Sequence, residues 1–137
     1  MAPSSVPSPA PATALATLAR VDARSRRRAW RAVRCLPLRR AFYERLAQGG
    51  ATAELLCGGE AAPAYGRRPL APRVAEGHLA WLIRLGLVRH EVDGQGLTER
   101  VRLTPMGREL LAQWPQEFPG ADPLSRLLDS LRRRWPL

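Results

Sequence analysis

The chain has 137 residues, enough for one domain with its own core, and its 45% apolar content is ordinary for a globular chain. No apolar run approaches the length of a membrane-spanning helix, and the opening MAPSSVPSPAPATA lacks the basic and apolar regions of a secretory signal, so a soluble, cytoplasmic protein with no membrane partner is expected. The formal net charge is +10, and all 22 basic residues are Arg, a balance that suits a polyanionic partner.

GC-rich codon usage, visible in the abundant Ala, Pro and Gly, accounts for the absence of Lys but not for the positive sum. The charge is also unevenly placed. From Arg20 to Arg45, ten Arg stand against Asp22 and Glu44, whereas residues 46–116 and 117–137 each carry only +1. Attraction for a polyanion is therefore expected to be strongest before residue 46.

In chain order, residues 1–14 are rich in Pro, Ser and Ala without periodicity and read as a disordered tail. Residues 15–36 read as a basic helical extension, in which RSRRRAWRAVRCL sets Trp30, Val33 and Leu36 in a narrow apolar stripe among arginines. Pro37 stops it. Residues 37–115 read as the core domain. LRRAFYERLAQGG opens it as a helix with Leu38, Ala41, Phe42, Arg45 and Leu46 along one side and Gly49-Gly50 at its end. ATAELLCGG is a short helix that starts near Thr52, and EAAPAYGRR is a loop.

The longest helix runs from about Pro69 or Pro72 to Leu85. Its apolar arc holds Val74, Ala75, His78, Leu79, Trp81, Leu82, Ile83 and Leu85, opposite Arg73, Glu76, Gly77, Ala80 and Arg84. Gly86 caps it. LVRHEV and LTERVRL then read as two strands around the turn DGQG, where Asp93-Gly94 tolerates positive φ. Val92, Val101 and Leu103 are the expected apolar contacts of this ribbon. Thr104 and Pro105 suit the N-cap and first turn of a helix with Leu110, Leu111 and Trp114 inward. Residues 116–137 read as a linker and an amphipathic helix, capped by Asp122 and started by Pro123. Its stripe of Leu124, Leu127, Leu128, Leu131 and Trp135 either covers the domain or pairs two copies of the chain.

Catalytic signals are missing. No nucleophile–base pair or paired carboxylates stand out, so no enzyme and no cofactor is expected. Cys35 and Cys57 lack metal-ligand spacing and are expected reduced and buried. His78 falls in an apolar arc and His90 in a strand; both read as structural rather than metal-binding. Gly94 and Gly96 belong to the turn, with no phosphate-loop fingerprint around them.

The string HLAWLIRLGLVRHEVDGQGLTERVRLTPMGREL resembles the winged helix-turn-helix family. Gly86-Leu87-Val88, Asp93-Gly94, Leu103-Thr104 and Gly107 carry the likeness, which spans about residues 38–114. The whole chain is also similar to small uncharacterised winged-helix proteins of cyanobacteria. The resemblance implies a mainly α fold with a small β-hairpin wing, an α+β class, here with extra N- and C-terminal helices.

It further implies a long helix in the DNA major groove and a wing on the backbone. The implied contacts are Arg73, Gly77, Ala80 and Arg84 on the long helix and Arg67 and Arg68 before it. The wing would add Arg89, Gln95 and Arg100. The basic extension adds Arg26, Arg27, Arg28 and Arg31 for phosphate neutralisation. Two departures matter: the long helix exposes few polar readers, and Glu76 faces where phosphates would lie. The expectation is a double-stranded DNA-binding protein that regulates transcription. The competing reading is a protein-interaction module on the same scaffold, without direct DNA contact.

Overall fold

The computed structural model describes residues 11–134. Its elements are α1 (Pro11–Cys35), α2 (Arg40–Gln48), a 3-10 turn (Ala53–Leu56), the single-turn α3 (Ala62–Tyr65), α4 (Pro72–Arg84), β1 (Val88–Asp93), β2 (Gly96–Leu103), α5 (Pro105–Gln113) and α6 (Pro123–Arg134). The fold is mainly α with one small antiparallel hairpin, as expected. The expected tail falls partly outside the described residues, as does Trp135. Its last part, residues 11–14, opens α1 instead. Pro11 is compatible with a first helical turn, and the Ala-rich run after it favours helix.

The two halves of α1 differ. Leu15 and Leu18 are exposed, whereas Ala29, Ala32, Val33 and Leu36 are buried. The expected stripe is therefore right at Val33 and Leu36 and is completed by two small alanines, while Trp30 is only half-buried. Leu38 precedes α2 rather than lying on it. It is buried in a bridge to Gly66, and Phe42, Tyr43 and Leu46 form the inner face of α2. Residues 61–66 are not wholly a loop. Pro63 stands in the first turn of α3, and Tyr65 meets Phe42 edge-on at 6.4 Å between ring centres.

α4 begins at Pro72 and buries Ala75, His78, Leu79, Trp81 and Leu82; Val74, at the edge of the arc, is exposed. Gly86 takes φ 82°, letting Leu87 N donate to Leu82 O and turn the chain into β1. The strands pair Val88 with Leu103, His90 with Val101 and Val92 with Leu97, with an irregularity between His90 and Val92. Ala51 adds a short third rung, bonded in both directions to Val101.

Two expectations at the wing are corrected. Positive φ falls on Gly96, not on Asp93 or Gly94, because the Asp93 carboxylate accepts from Gln95 N at 2.7 Å and shapes the turn itself. Val92 is 71% exposed, since beyond the irregularity the ribbon leaves the helices that bury Val88, Val101 and Leu103.

Thr104 caps α5 as expected: its Oγ1 accepts from Gly107 N at 3.2 Å and donates to Leu87 O at 3.1 Å. Leu111 is buried, while Trp114 is partly exposed and lies 4.9 Å from the Trp30 ring. On α6 the leucine stripe is not the docked face. Leu124, Leu127 and Leu131 are exposed, and Leu128 alone is half-buried. The helix instead turns Asp129 inward, where its Oδ1 accepts from Trp81 Nε1 at 3.2 Å. The inward face of α6 is thus marked by a polar contact to α4 and not by the leucine stripe.

Candidate nucleic-acid interface

α1 and α6 lie side by side and bring their arginines together. Arg24, Arg27, Arg28 and Arg31 of α1 and Arg132 of α6 line one groove of about 280 Å³. Among the described residues no carboxylate lines this groove, and none of the five is ion-paired. Burial, reinforced by the neighbouring charges of Arg28, Arg31 and Arg24, presses the Arg132 pKa below its ordinary value. Among the described residues the Arg28 Nε is buried without a partner. Clustered like charges of this kind are relieved by an anion, and guanidinium forks match phosphate oxygens.

Arg26 does not share that groove. It pairs with Asp22 at 3.0 Å and with Glu109 of α5 at 2.7 Å, so it ties two helices together on another side of α1. Arg67 and Arg68 fall in a second concavity, with Arg34, Arg126 and Arg133. There Arg67 donates to Phe118 O at 2.9 Å.

Around α4 the charge balance is different. Arg73, Gly77, Ala80 and Arg84 are all exposed, so the strip inferred from the helical projection is the outer surface. Arg84, however, lies over the Trp81 ring at 5.0 Å. On one flank Glu76 and Ala80 border a hollow shared with Glu54, His90 and Glu99. Three carboxylates there oppose phosphate approach. The wing arginines are also engaged internally: Arg100 binds Glu91 and Gly50 O, and Arg102 pairs with Glu91 at 3.5 Å. Arg89 and Gln95 are exposed.

The expected residues therefore divide. Arg27, Arg28 and Arg31 converge; Arg67 and Arg68 converge elsewhere; the α4 and wing residues occupy a region of mixed charge. Arg24, Arg34, Arg126, Arg132 and Arg133 were not among the expected contacts. For Arg126, Arg132 and Arg133 the signal was present in the four arginines of α6, masked by the near-zero sum of the last segment, whereas Arg24 and Arg34 stood within the Arg20–Arg45 run. The acids that produce that sum are already engaged, one within its own segment and two by groups distant in sequence. Asp122 is hydrogen-bonded to Ser125, which holds its carboxyl below the usual range; Asp129 is bound to Trp81; and Glu117 accepts from Arg40 N at 2.8 Å.

Neither cysteine is fully buried. Both are free and half-buried, with thiol pKa values raised by desolvation first. Among the described residues no three His, Cys, Asp or Glu side chains are placed to hold a metal ion. Nor is any described helix long and apolar enough to cross a membrane.

Fold and site together define a mainly helical protein with a two-stranded wing, whose first and last helices join in an arginine-lined groove. The chain belongs to the Npun_F0494-like family, whose model matches residues 19–133. That span takes in both arginine-bearing helices. No curated protein and no solved structure matches the chain.

Proposed function

We propose that this protein is a winged-helix DNA-binding protein, a regulator of transcription, and that it holds duplex phosphates mainly through the α1–α6 groove. The single observation that carries the reading is the convergence of Arg24, Arg27, Arg28, Arg31 and Arg132 with no carboxylate among them. The order of elements supports a winged-helix topology. Helix, short helix and long helix are followed by a hairpin, and Ala51 pairs with the second strand of that hairpin as a short additional strand would. Arg73 and Arg84 would then approach the duplex beside the phosphate-bound groove.

Fluorescence anisotropy of a labelled duplex tests this. The triple variant Arg27→Glu, Arg28→Glu, Arg31→Glu is expected to lose binding at low salt. For the unaltered chain, neutralisation of about three to five phosphates predicts a log–log salt slope of roughly −2.7 to −4.5. Affinity unchanged in the triple variant removes the groove from the interface. Arg26, held by Asp22 and Glu109, is left out of the variant so that folding is preserved.

A second reading, a protein-interaction module without DNA contact, is favoured by one feature: Glu54, Glu76 and Glu99 around the flank of α4. An unaltered chain that ignores duplex DNA at low salt supports it over the first. In either case the exposed Leu124, Leu127 and Leu131 offer a surface for a second copy of the chain.

A further inference from the structure

Beside the α1–α6 groove lies a second concavity of about 330 Å³, with guanidinium groups from three directions. Arg34 comes from α1, Arg67 and Arg68 from the connector before α4, and Arg126 and Arg133 from α6. Three of the five are fixed by neutral acceptors: Arg34 donates to Gly120 O at 3.0 Å, Arg67 to Phe118 O at 2.9 Å and Arg133 to His78 Nδ1 at 2.7 Å. None of the five is ion-paired among the described residues, and the Arg34 Nε is buried without a partner. Among the described residues Asp129 is the one carboxylate of the lining, and its Oδ1 is engaged by Trp81 Nε1.

Arginines that merely solubilise a surface spread apart into water. Here Arg34, Arg67 and Arg133 are held by backbone carbonyls and a histidine, which orients their forks without neutralising their charge, and Arg68 and Arg126 stand exposed beside them. Ser130 adds a hydroxyl to the same lining. A hollow bordered by α1, α6 and the connector lets a compact anion reach guanidinium groups from all three at once.

We propose that this concavity binds a small molecule bearing two or three linked phosphates, and that the bound anion clamps α6 to α1 and to the connector before α4. The site is separate from the groove assigned to DNA, so the two assignments stand or fall independently.

The test uses the full chain with inorganic tripolyphosphate as the probe, at constant ionic strength, followed by calorimetry and thermal unfolding. Saturable binding of one anion per chain with a raised Tm is expected. Arg68→Ala with Arg126→Ala, both at exposed positions without structural hydrogen bonds of their own, should weaken it roughly tenfold or more, as loss of charge-assisted bonds does. The same pair should leave duplex affinity within about twofold, as expected of residues outside that interface. The Arg27→Glu, Arg28→Glu, Arg31→Glu variant should bind tripolyphosphate as the unaltered chain does. An equal rise in Tm from sulfate at matched ionic strength would overturn the proposal, because it marks general screening. Loss of tripolyphosphate binding in the α1 variant but not in the Arg68/Arg126 variant would overturn it as well.

Discussion

His78 illustrates how a single side chain takes its properties from its neighbours. Arginine can only donate, so the contact to Arg133 makes His78 Nδ1 the acceptor and leaves the proton on Nε2. Among the described residues Nε2 is buried without a partner. Burial, then the charges of Arg133 and Arg68, lowers the His78 pKa from 6.5 to about 4. The unfolded chain therefore takes up a proton between those two values while the folded chain does not. Stability should fall as pH drops from 6.5 toward 4 and should be insensitive to this group above that window. His78→Gln keeps an acceptor for Arg133 and removes the titration. Urea midpoints across the window should flatten in that variant, and an unchanged slope would assign the loss to other groups.

Gly107 shows a different local constraint. A Cβ there would run into the Leu87 carbonyl and the Leu103 side chain, both parts of the wing's base. Both neighbours belong to a packed junction, so Gly107→Ala should destabilise the chain by about 1–3 kcal/mol, the usual range for overpacking. Equilibrium denaturation checks the value. A change within error would mean that the junction yields.

Among the elements, α6 is the least conventional. Its apolar stripe faces outward at Leu124, Leu127 and Leu131, and its inward contacts are polar. Asp129 is 3% exposed, and desolvation raises its carboxyl pKa before the Trp81 hydrogen bond and nearby arginines lower it. Asp129→Ala would leave Trp81 Nε1 buried without an acceptor, a loss of about 1–3 kcal/mol. Because the bond joins α6 to α4 alone, amide exchange should accelerate across residues 123–134 and much less within α4. Uniform acceleration throughout would show that α6 unfolds only together with the body. The wing behaves in the opposite way. Its base is packed under Val88, Val101 and Leu103, and its tip exposes Val92 and Leu97.

At the scale of the molecule, the last turns of α1 are part of the core, since Ala29, Ala32, Val33 and Leu36 pack in the same cluster as Leu82, Val88 and Val101. The basic helix is thus held rigidly against the body, and its outer arginines are carried to α6. The consequence is a strongly polar charge distribution. One side presents the arginines of α1, α6 and the connector, and another presents the Glu54, Glu76 and Glu99 hollow. In the proposed complex a duplex would be steered by the first side and repelled by the second, which would fix its orientation of approach. On the same proposal the salt dependence would come from the arginines of α1 and α6 rather than from the wing, where Arg100 and Arg102 are paired with Glu91.

Local chemistry made most elements legible. Pro37 sets the end of α1, Pro72 the start of α4, and Thr104-Pro105 the start of α5, because caps and proline geometry act within a few residues. Periodicity likewise marked the inner face of α4, where burial follows the helical repeat. The candidate site was only partly legible. The arginine run of α1 was visible, but its partners are about a hundred residues further along the chain, at Arg132 and its neighbours. Which carboxylates neutralise which arginines also depends on contacts between distant segments, as for Arg26 with Glu109, and so does the engagement of Asp129 by Trp81. Sequence determines what each segment can become, since backbone preference and amphipathicity are short-range properties. Only the tertiary structure decides which charges meet and which face of α6 turns inward, since Coulomb forces and desolvation act through space.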